Sequence, residues 1–257
     1  MDFEVCFLPR EATRKPTPVA VLIDVIRAST TIVTLLDRGC SEVILVGAKD
    51  RPRLTELREE LGALVCAEDA SGLKATEADL TPSPAALHAL DLGGRRVILA
   101  TTNGTLAAEL VRDCGVEHVL IGCMRNGAAV MRSAVGLARR LDRSVSLVCA
   151  GRESSLIPAI DDSYCAAALL RHGETLARAA GIAMSLRESA RIALNAASVF
   201  AGTHEAFDQS TSAAVIRRIG SPDDVPYCAE ADVSALVPIV TFNGGTPAIV
   251  VRKETSG

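Results

Sequence analysis

Apolar, β-branched runs that end in a polar turn and give way to helical spacing recur along this chain. The first run centres on Val21, Leu22 and Ile23 and breaks at Asp24. Arg27, Ser29, Thr30 and Thr31 follow, and then Ile32, Leu35 and Leu36 take up a helical period. The same change of period follows runs at 96–100, 118–121 and 145–149. Alternating strand and helix patterns of this kind predict a parallel sheet covered by helices on both faces. Further strands are expected at 3–8, 42–46 and 64–67, and helices at 50–61, from 106, up to 140, and after Asp161. The stretch 68–84 reads as a loop long enough to carry function. From 187 to 218 the spacing predicts two helices broken near Gly202 and Thr203. The final part changes character, with short strand-like runs at 225–230, 236–242 and 247–251 and a turn at Asn243-Gly244-Gly245. The fold class expected is a layered α/β/α arrangement with a largely parallel sheet and a C-terminal antiparallel strand extension. It forms one domain over 1–257, with 222–257 as a candidate subdomain.

Composition narrows the setting. The chain has 257 residues, 49% hydrophobic but only 3% aromatic, so its core must be built from Ala, Val, Leu and Ile. A formal net charge of −4 offers no general basic field for nucleic acid or an anionic membrane. Any bound anion must be held by local donors. No apolar run approaches the roughly 18 residues of a membrane span, and the acidic start MDFEVCF is unlike a signal peptide. Eight scattered cysteines contain no C-x-x-C pair, which points to reduced, buried thiols in a cytoplasmic protein rather than a zinc site.

In a parallel sheet, ligands bind beyond the carboxyl ends of the strands, and there the polar residues gather. Asp24, Arg27, Ser29 and Thr30 follow one strand, and Thr101, Thr102, Asn103, Gly104 and Thr105 another. Arg125 and Asn126 follow a third, Arg152 and Glu153 a fourth, and Asp161-Asp162 opens the next helix. Hydroxyls, helix N-termini and arginines suit a phosphate. A carboxylate such as Asp24 repels one unless a cation lies between them, so the set points to metal-assisted cleavage of a phosphate ester. Each residue also has a structural reading, as a cap, a turn or a solvated charge. Walker A, G-x-G-x-x-G and G-x-S-x-G motifs are absent. Cys165 and Arg171 match a cysteine-phosphatase spacing by count, but the residues between them form a helix interior.

The segment Asp24-Val25-Ile26-Arg27-Ala28-Ser29-Thr30-Thr31 resembles the D-V-L-R-A-S-T-T segment of the 2-phosphosulfolactate phosphatase (ComB) family. Thr101-Thr102-Asn103-Gly104-Thr105, Asn126, Cys149-Ala150-Gly151, Asp161-Asp162 and the tail from Asp224 to Pro238 are similar to that family in the same order. One departure stands out: the family's G-F-D-L-G-N-S-P loop is here Ala78-Asp79-Leu80-Thr81-Pro82-Ser83-Pro84. The resemblance implies a Mg²⁺-dependent phosphatase acting on 2-phosphosulfolactate, a small phosphorylated acid, in a step toward coenzyme M. On that reading we expect Asp24, Asp161 and Asp162 as metal ligands or acid/base groups, with Arg27, Asp79 and Glu153 also in catalysis. Ser29, Thr30, Ser83, Thr102, Asn103, Gly104, Thr105, Arg125, Asn126 and Arg152 would hold the substrate, with Lys74 as a further donor. Asp79 and Ser83 would close over it. The rival readings are a phosphatase for another phosphorylated C3 acid and a non-catalytic anion- or nucleotide-binding module. A homo-oligomer is expected on general grounds.

Overall fold

The computed structural model describes residues 1–13, 17–244 and 249–254. Its strands are β1 (Asp2–Cys6), β2 (Val19–Ile23), β3 (Glu42–Leu45), β4 (Leu64–Ala67), β5 (Arg96–Ala100), β6 (His118–Ile121), β7 (Val145–Cys149), β8 (Ser185–Leu186), β9 (Pro238–Phe242) and β10 (Ile249–Lys253). The helices are α1 (Ala28–Asp37), α2 (Leu54–Leu61), α3 (Pro84–Leu87), α4 (Gly104–Asp113) and α5 (Gly127–Leu141). They continue with α6 (Ile160–Ala179), α7 (Glu188–Ala197), α8 (Thr203–Asp208), α9 (Thr211–Arg218) and α10 (Asp224–Ala229).

One sheet takes in every strand, in the order β4-β5-β3-β10-β9-β6-β2-β7-β1-β8. It holds two parallel blocks, β4-β5-β3 and β6-β2-β7-β1-β8. The antiparallel pair β9–β10 joins them, pairing with β6 on one side and β3 on the other. The expected layered, largely parallel architecture is present, and the C-terminal antiparallel pair lies in the middle of the sheet. All five residues of β2 and of β7 are buried, as strands covered on both faces must be. Val19, Val21 and Ile23 pack toward the core shared with α5 and α6. Ala20 and Leu22 face the second core, shared with α1 and α4.

Helix α1 is buried from Ala28 to Leu36 and packs against β3, β10, β9 and β6. A helix carrying a serine and three threonines can be buried this way because their hydroxyls are satisfied at home. Ser29 Oγ donates to Asp24 O (2.8 Å), Thr30 Oγ1 to Val25 O (2.8 Å), Thr31 Oγ1 to Pro82 O (3.3 Å) and Thr34 Oγ1 to Thr30 O (2.8 Å). Sheet twist and the curl about this helix bring the C-terminal ends of β2, β4 and β5 together, although β2 stands five places from β5.

Four local expectations change. Residues 225–230 are not a strand: Asp224–Ala229 is helix α10, and Pro226 is tolerated because it falls in the first turn, where an N–H has no intrahelical acceptor. The stretch 187–218 holds three helices, because Ser210 breaks it a second time by capping α9 through Ala213 N (3.0 Å). The loop after β4 is shorter by its end, since Ser83 caps α3. The short edge strand β8 carries too little pattern to stand out. The expected strand at 247–251 begins at Ile249, and 247–248, like Gly245 of the predicted turn, lie outside the described residues. Among the described residues, no helix is long and apolar enough to cross a membrane, and all eight cysteines are free thiols, seven of them buried.

Candidate active site

Where the strand ends meet there is a cleft of about 930 Å³. Its walls come from the turn after β2 (Asp24, Arg27), the loop after β4 (Glu68, Gly72), the β5–α4 turn (Thr101, Thr102, Asn103), the loop after β7 (Arg152, Glu153), and α9 with the residues just beyond it.

Asp24 leaves β2 with its backbone held by Ser29, which donates to Asp24 O and accepts from Asp24 N (3.2 Å). Its Oδ1 accepts from Ala28 N (3.2 Å). Oδ2 faces the N-terminus of α4, where Gly104 leaves room for it. A Cβ on Gly104 would lie 2.8 Å from Asp24 Oδ2 and would overlap Ala28 Cβ. The N–H groups of Asn103 and Gly104 at this helix start have no protein acceptor among the described residues. A carboxyl group thus lies close to Gly104 at a positive helix end whose first N–H groups are free for a ligand. Alanine is intrinsically better than glycine in a helix by about 0.5–1 kcal/mol. Even so, Gly104→Ala is expected to destabilise the fold by about 1–3 kcal/mol by overpacking and to depress activity by displacing Asp24. Urea denaturation alongside steady-state turnover checks both effects.

Burial pushes the Asp24 carboxyl up to about 7. The negative charges of Glu68 and Asp161 add to the rise, while the Ala28 N–H and Arg27 oppose it. Burial raises Asp161 to about 6 against hydrogen bonds from its own N–H and from Ser212 and the charge of Arg152. Asp162 is raised well above the usual carboxylate range, by burial first and then by Asp161 and Asp24. Three buried acids therefore oppose one another's ionisation.

Their free oxygens differ. Asp162 uses Oδ1 to accept from Val25 N (2.9 Å) and Oδ2 from Gly151 N (3.0 Å). It ties the end of β2 to the loop after β7. Asp161 Oδ1 accepts from Ser212 Oγ (3.0 Å). Among the described residues no three His, Cys, Asp or Glu side chains converge closely enough to enclose a metal ion by themselves.

Arg27 is 5% exposed and held on two sides. It donates to Asp224 Oδ2 (3.0 Å), to Glu68 Oε2 (3.1 Å) and to Gly72 O (3.3 Å), and the Ile26–Arg27 peptide is cis. Glu68 uses its other oxygen to accept from Thr102 N (3.0 Å). The buried Asp224 also accepts from Ser83 Oγ (2.7 Å) and Ala85 N (3.1 Å). The loop after β7 is a left-handed turn: Gly151 has φ +69°, and Glu153, Ser154 and Ser155 follow at +52°, +59° and +60°. Non-glycine residues held there cost about 1–3 kcal/mol each. The turn is fixed by Asp162 at Gly151, by Arg152 N–H to Ile157 O (2.8 Å) and by Ser154 N–H to Asn103 Oδ1 (3.1 Å). Its effect is to aim Arg152 and Glu153 into the cleft.

Several predicted residues lie elsewhere. Thr30 and Ser29 turn back on their own backbone, as does Thr105, whose hydroxyl donates to Thr101 O (2.6 Å). Asp79 accepts from Val65 N (2.9 Å) and pairs with Arg58 (2.9 Å), bracing the edge of β4. Ser83 caps α3 and binds Asp224. Neither closes over the cleft, so the Thr81-Pro82 departure from the family loop falls outside the cleft lining as well. Arg125 stacks over the Tyr227 ring at 3.8 Å and pairs with Glu230. Asn126 binds Cys123 N (2.9 Å), Ile121 O (3.1 Å) and Leu236 O (3.0 Å), a buried brace. Lys74 is exposed and outside the lining.

Sequence reasoning missed Glu68, Asp224, Ser212 and Arg218. Glu68 follows the last residue of β4, so the strand-end rule that picked Asp24 also covers it. Asp224 opens a helix whose Val-Pro-Tyr-Cys composition reads as strand.

The model of the 2-phosphosulpholactate phosphatase family matches residues 6–243, a span that contains the whole cleft. A protein of Deinococcus radiodurans named probable 2-phosphosulfolactate phosphatase is 32% identical over 238 residues, 91% of this chain and 92% of that one. A Thermus thermophilus protein of the same name is 30% identical over 98% of this chain and 100% of its own length. A Methanothermobacter thermautotrophicus protein named 2-phosphosulfolactate phosphatase is 31% identical over 86% of each chain. A family match over most of the chain, and relatives alike over most of their lengths, make this chain a member of the 2-phosphosulpholactate phosphatase family.

Proposed function

We propose that the chain is a Mg²⁺-dependent phosphatase that hydrolyses 2-phosphosulfolactate to sulfolactate and phosphate, a step toward coenzyme M. The observation that carries this reading is the meeting of Asp24 with the start of α4: a buried acid whose carboxyl is pushed to about 7 beside unpaired helix N–H groups. The N–H groups suit phosphate oxygens, and the acid suits a cation between itself and the phosphate.

The carboxylates fit Mg²⁺, which is commonly held by one or two carboxylates together with water and substrate phosphate. Asp24 and Asp161 would hold it, while Asp162 stays on its two N–H donors. An ion held there would supply positive charge to offset the charge of the phosphate and would make the attacking water more acidic. The chain's own residues do the rest. Asn103 and Gly104 N–H groups orient the phosphoryl group. Glu153, held on the left-handed turn, takes a proton from the attacking water or returns one to the leaving alkoxide as the phosphorus–oxygen ester bond breaks. Arg152 draws in the anionic substrate. Arg27, bound by Glu68 and Asp224, fixes the shape of the turn that presents Asp24.

A phosphate-release screen over phosphorylated C3 acids, with Mg²⁺ and with chelator, tests the reading. The expected result is release from 2-phosphosulfolactate that chelator abolishes. Release from none of the esters would favour a non-catalytic anion binder, and release unaffected by chelator would remove the metal.

A further inference from the structure

Three arginines line the cleft, and two of them face carboxylates. Arg27 is bound by Glu68 and Asp224. Arg152 lies 3.9 Å from Glu153 and its charge acts on Asp161. Arg218, the last residue of α9, is exposed and has no acidic partner among the described residues. Its neighbour Arg217 does have one, Asp208, away from the cleft.

Helix α9 forms one wall from end to end. Near its start Ser212 donates to Asp161, on the side of the three buried acids. Just past its end Ile219 meets Gly72, where a Cβ would lie 3.3 Å from Ile219 Cδ1. The carbonyl of Gly72 is also the one that takes a hydrogen bond from Arg27 (3.3 Å). Arg218 thus stands at the Gly72 end of the wall, six residues from Ser212 and about 9 Å along the helix. Arg218 lines the same cleft as Asp24 and the turn before α4, so a substrate with its phosphate there has its other groups inside the cleft that Arg218 borders.

Charge points the same way. The lining carries three carboxylates, Asp24, Glu68 and Glu153, against the three arginines. A phosphate ester bearing a further acid needs a cation that no protein carboxylate already neutralises, and Arg218 is the lining cation that meets this need. A neutral or apolar tail would gain nothing from an unpaired guanidinium there.

We propose that Arg218 determines substrate class by gripping a second strong anion, a sulfonate or a carboxylate, at the end of the substrate remote from the phosphate. The inference rests on the phosphatase reading of the cleft and deepens it. A guanidinium fork matches either anion through paired N–H donors.

Steady-state kinetics on wild type and Arg218→Gln with three phosphate esters tests it: one carrying both sulfonate and carboxylate, one sulfonate only, one carboxylate only. Loss of a charge-assisted pair is expected to raise KM by about ten- to a hundredfold, with a smaller change in kcat, for each ester bearing the recognised anion. Arg218→Lys should recover part of that loss, and Arg217→Gln should behave as wild type. Whichever single-anion ester suffers identifies the anion. A KM within about twofold of wild type on all three overturns the proposal. Calorimetric titration with sulfolactate separates this result from the catalytic reading. If wild type releases no phosphate, the phosphatase reading falls, yet weaker sulfolactate binding by Arg218→Gln still supports the role of Arg218. Equal binding by both proteins, or none by wild type, overturns it.

Discussion

Asp24→Asn is expected to lower kcat by about a thousandfold or more while leaving the fold intact. Asparagine has nearly the same shape, and its Oδ1 can keep the hydrogen bond from Ala28 N. The Ser29 bonds involve the backbone of residue 24 and are unaffected. Only the charge is lost, and with it the group that faces the start of α4. The same change should alter the dependence of stability on pH. Burial, Glu68 and Asp161 push the Asp24 carboxyl to about 7 in the folded chain, whereas an unfolded aspartate titrates near about 3.9. Between these values the folded state binds more protons than the unfolded one, so stability falls as pH rises from about 4 to 7. Asp161, raised to about 6, acts in the same direction. Asp24→Asn removes one contributor and should flatten the fall, making the variant no less stable than wild type at pH 7.5 in chelator. Phosphate release, with thermal denaturation from pH 4 to 8, checks both halves. Undiminished kcat would remove Asp24 from the chemistry, and a large loss of Tm would make its charge structural.

Asp224→Ala is expected to cost about 3–5 kcal/mol of stability, the range for breaking a buried ion pair from one side. Asp224 is fully buried and its two oxygens serve three donors: Arg27 Nη1, Ser83 Oγ and Ala85 N. Removing it leaves the Arg27 guanidinium buried with Glu68 as its remaining acidic partner and loosens the start of α3. Activity should fall as well, because Arg27 shapes the turn carrying Asp24. Combining the change with Arg27→Met should recover part of the stability, since the buried guanidinium is then gone, while Glu68, more open to solvent, keeps the hydrogen bond from Thr102 N. Urea denaturation of the two single variants and the double one measures this. A double variant as unstable as the sum of the singles would show that the pair is not the source of the cost.

The alternation of strands and helices was legible because β2, β5, β6 and β7 are uniform apolar runs ended by polar turns, a pattern that only two-sided burial explains. The strand-end rule found Asp24, Arg27, Thr102, Asn103, Arg152 and Glu153, all of which line the cleft. It failed for Arg125 and Asn126. They too follow a strand, but Arg125 is drawn to α10, where it donates to Tyr227 O, and Asn126 braces Leu236 O. It also could not separate Asp161 from Asp162, because which acid meets backbone N–H donors depends on how α6 is rotated against β2. Arg218 has no local signal at all. It belongs to the site only because α9 crosses the cleft, and that follows from packing between segments far apart in sequence.

The central place of β9 and β10 also constrains how the chain folds. Among the described residues they follow every other strand in sequence, yet the strand-to-strand ladder passes from one parallel block of the sheet to the other through them. During synthesis each block can collapse on its own helices, but β3 and β6 keep open edges until the final hairpin arrives. The lips of the cleft come from both blocks, so a ribosome-bound chain lacking residues past about 237 would hold both halves of the cleft without the strands that join their sheets.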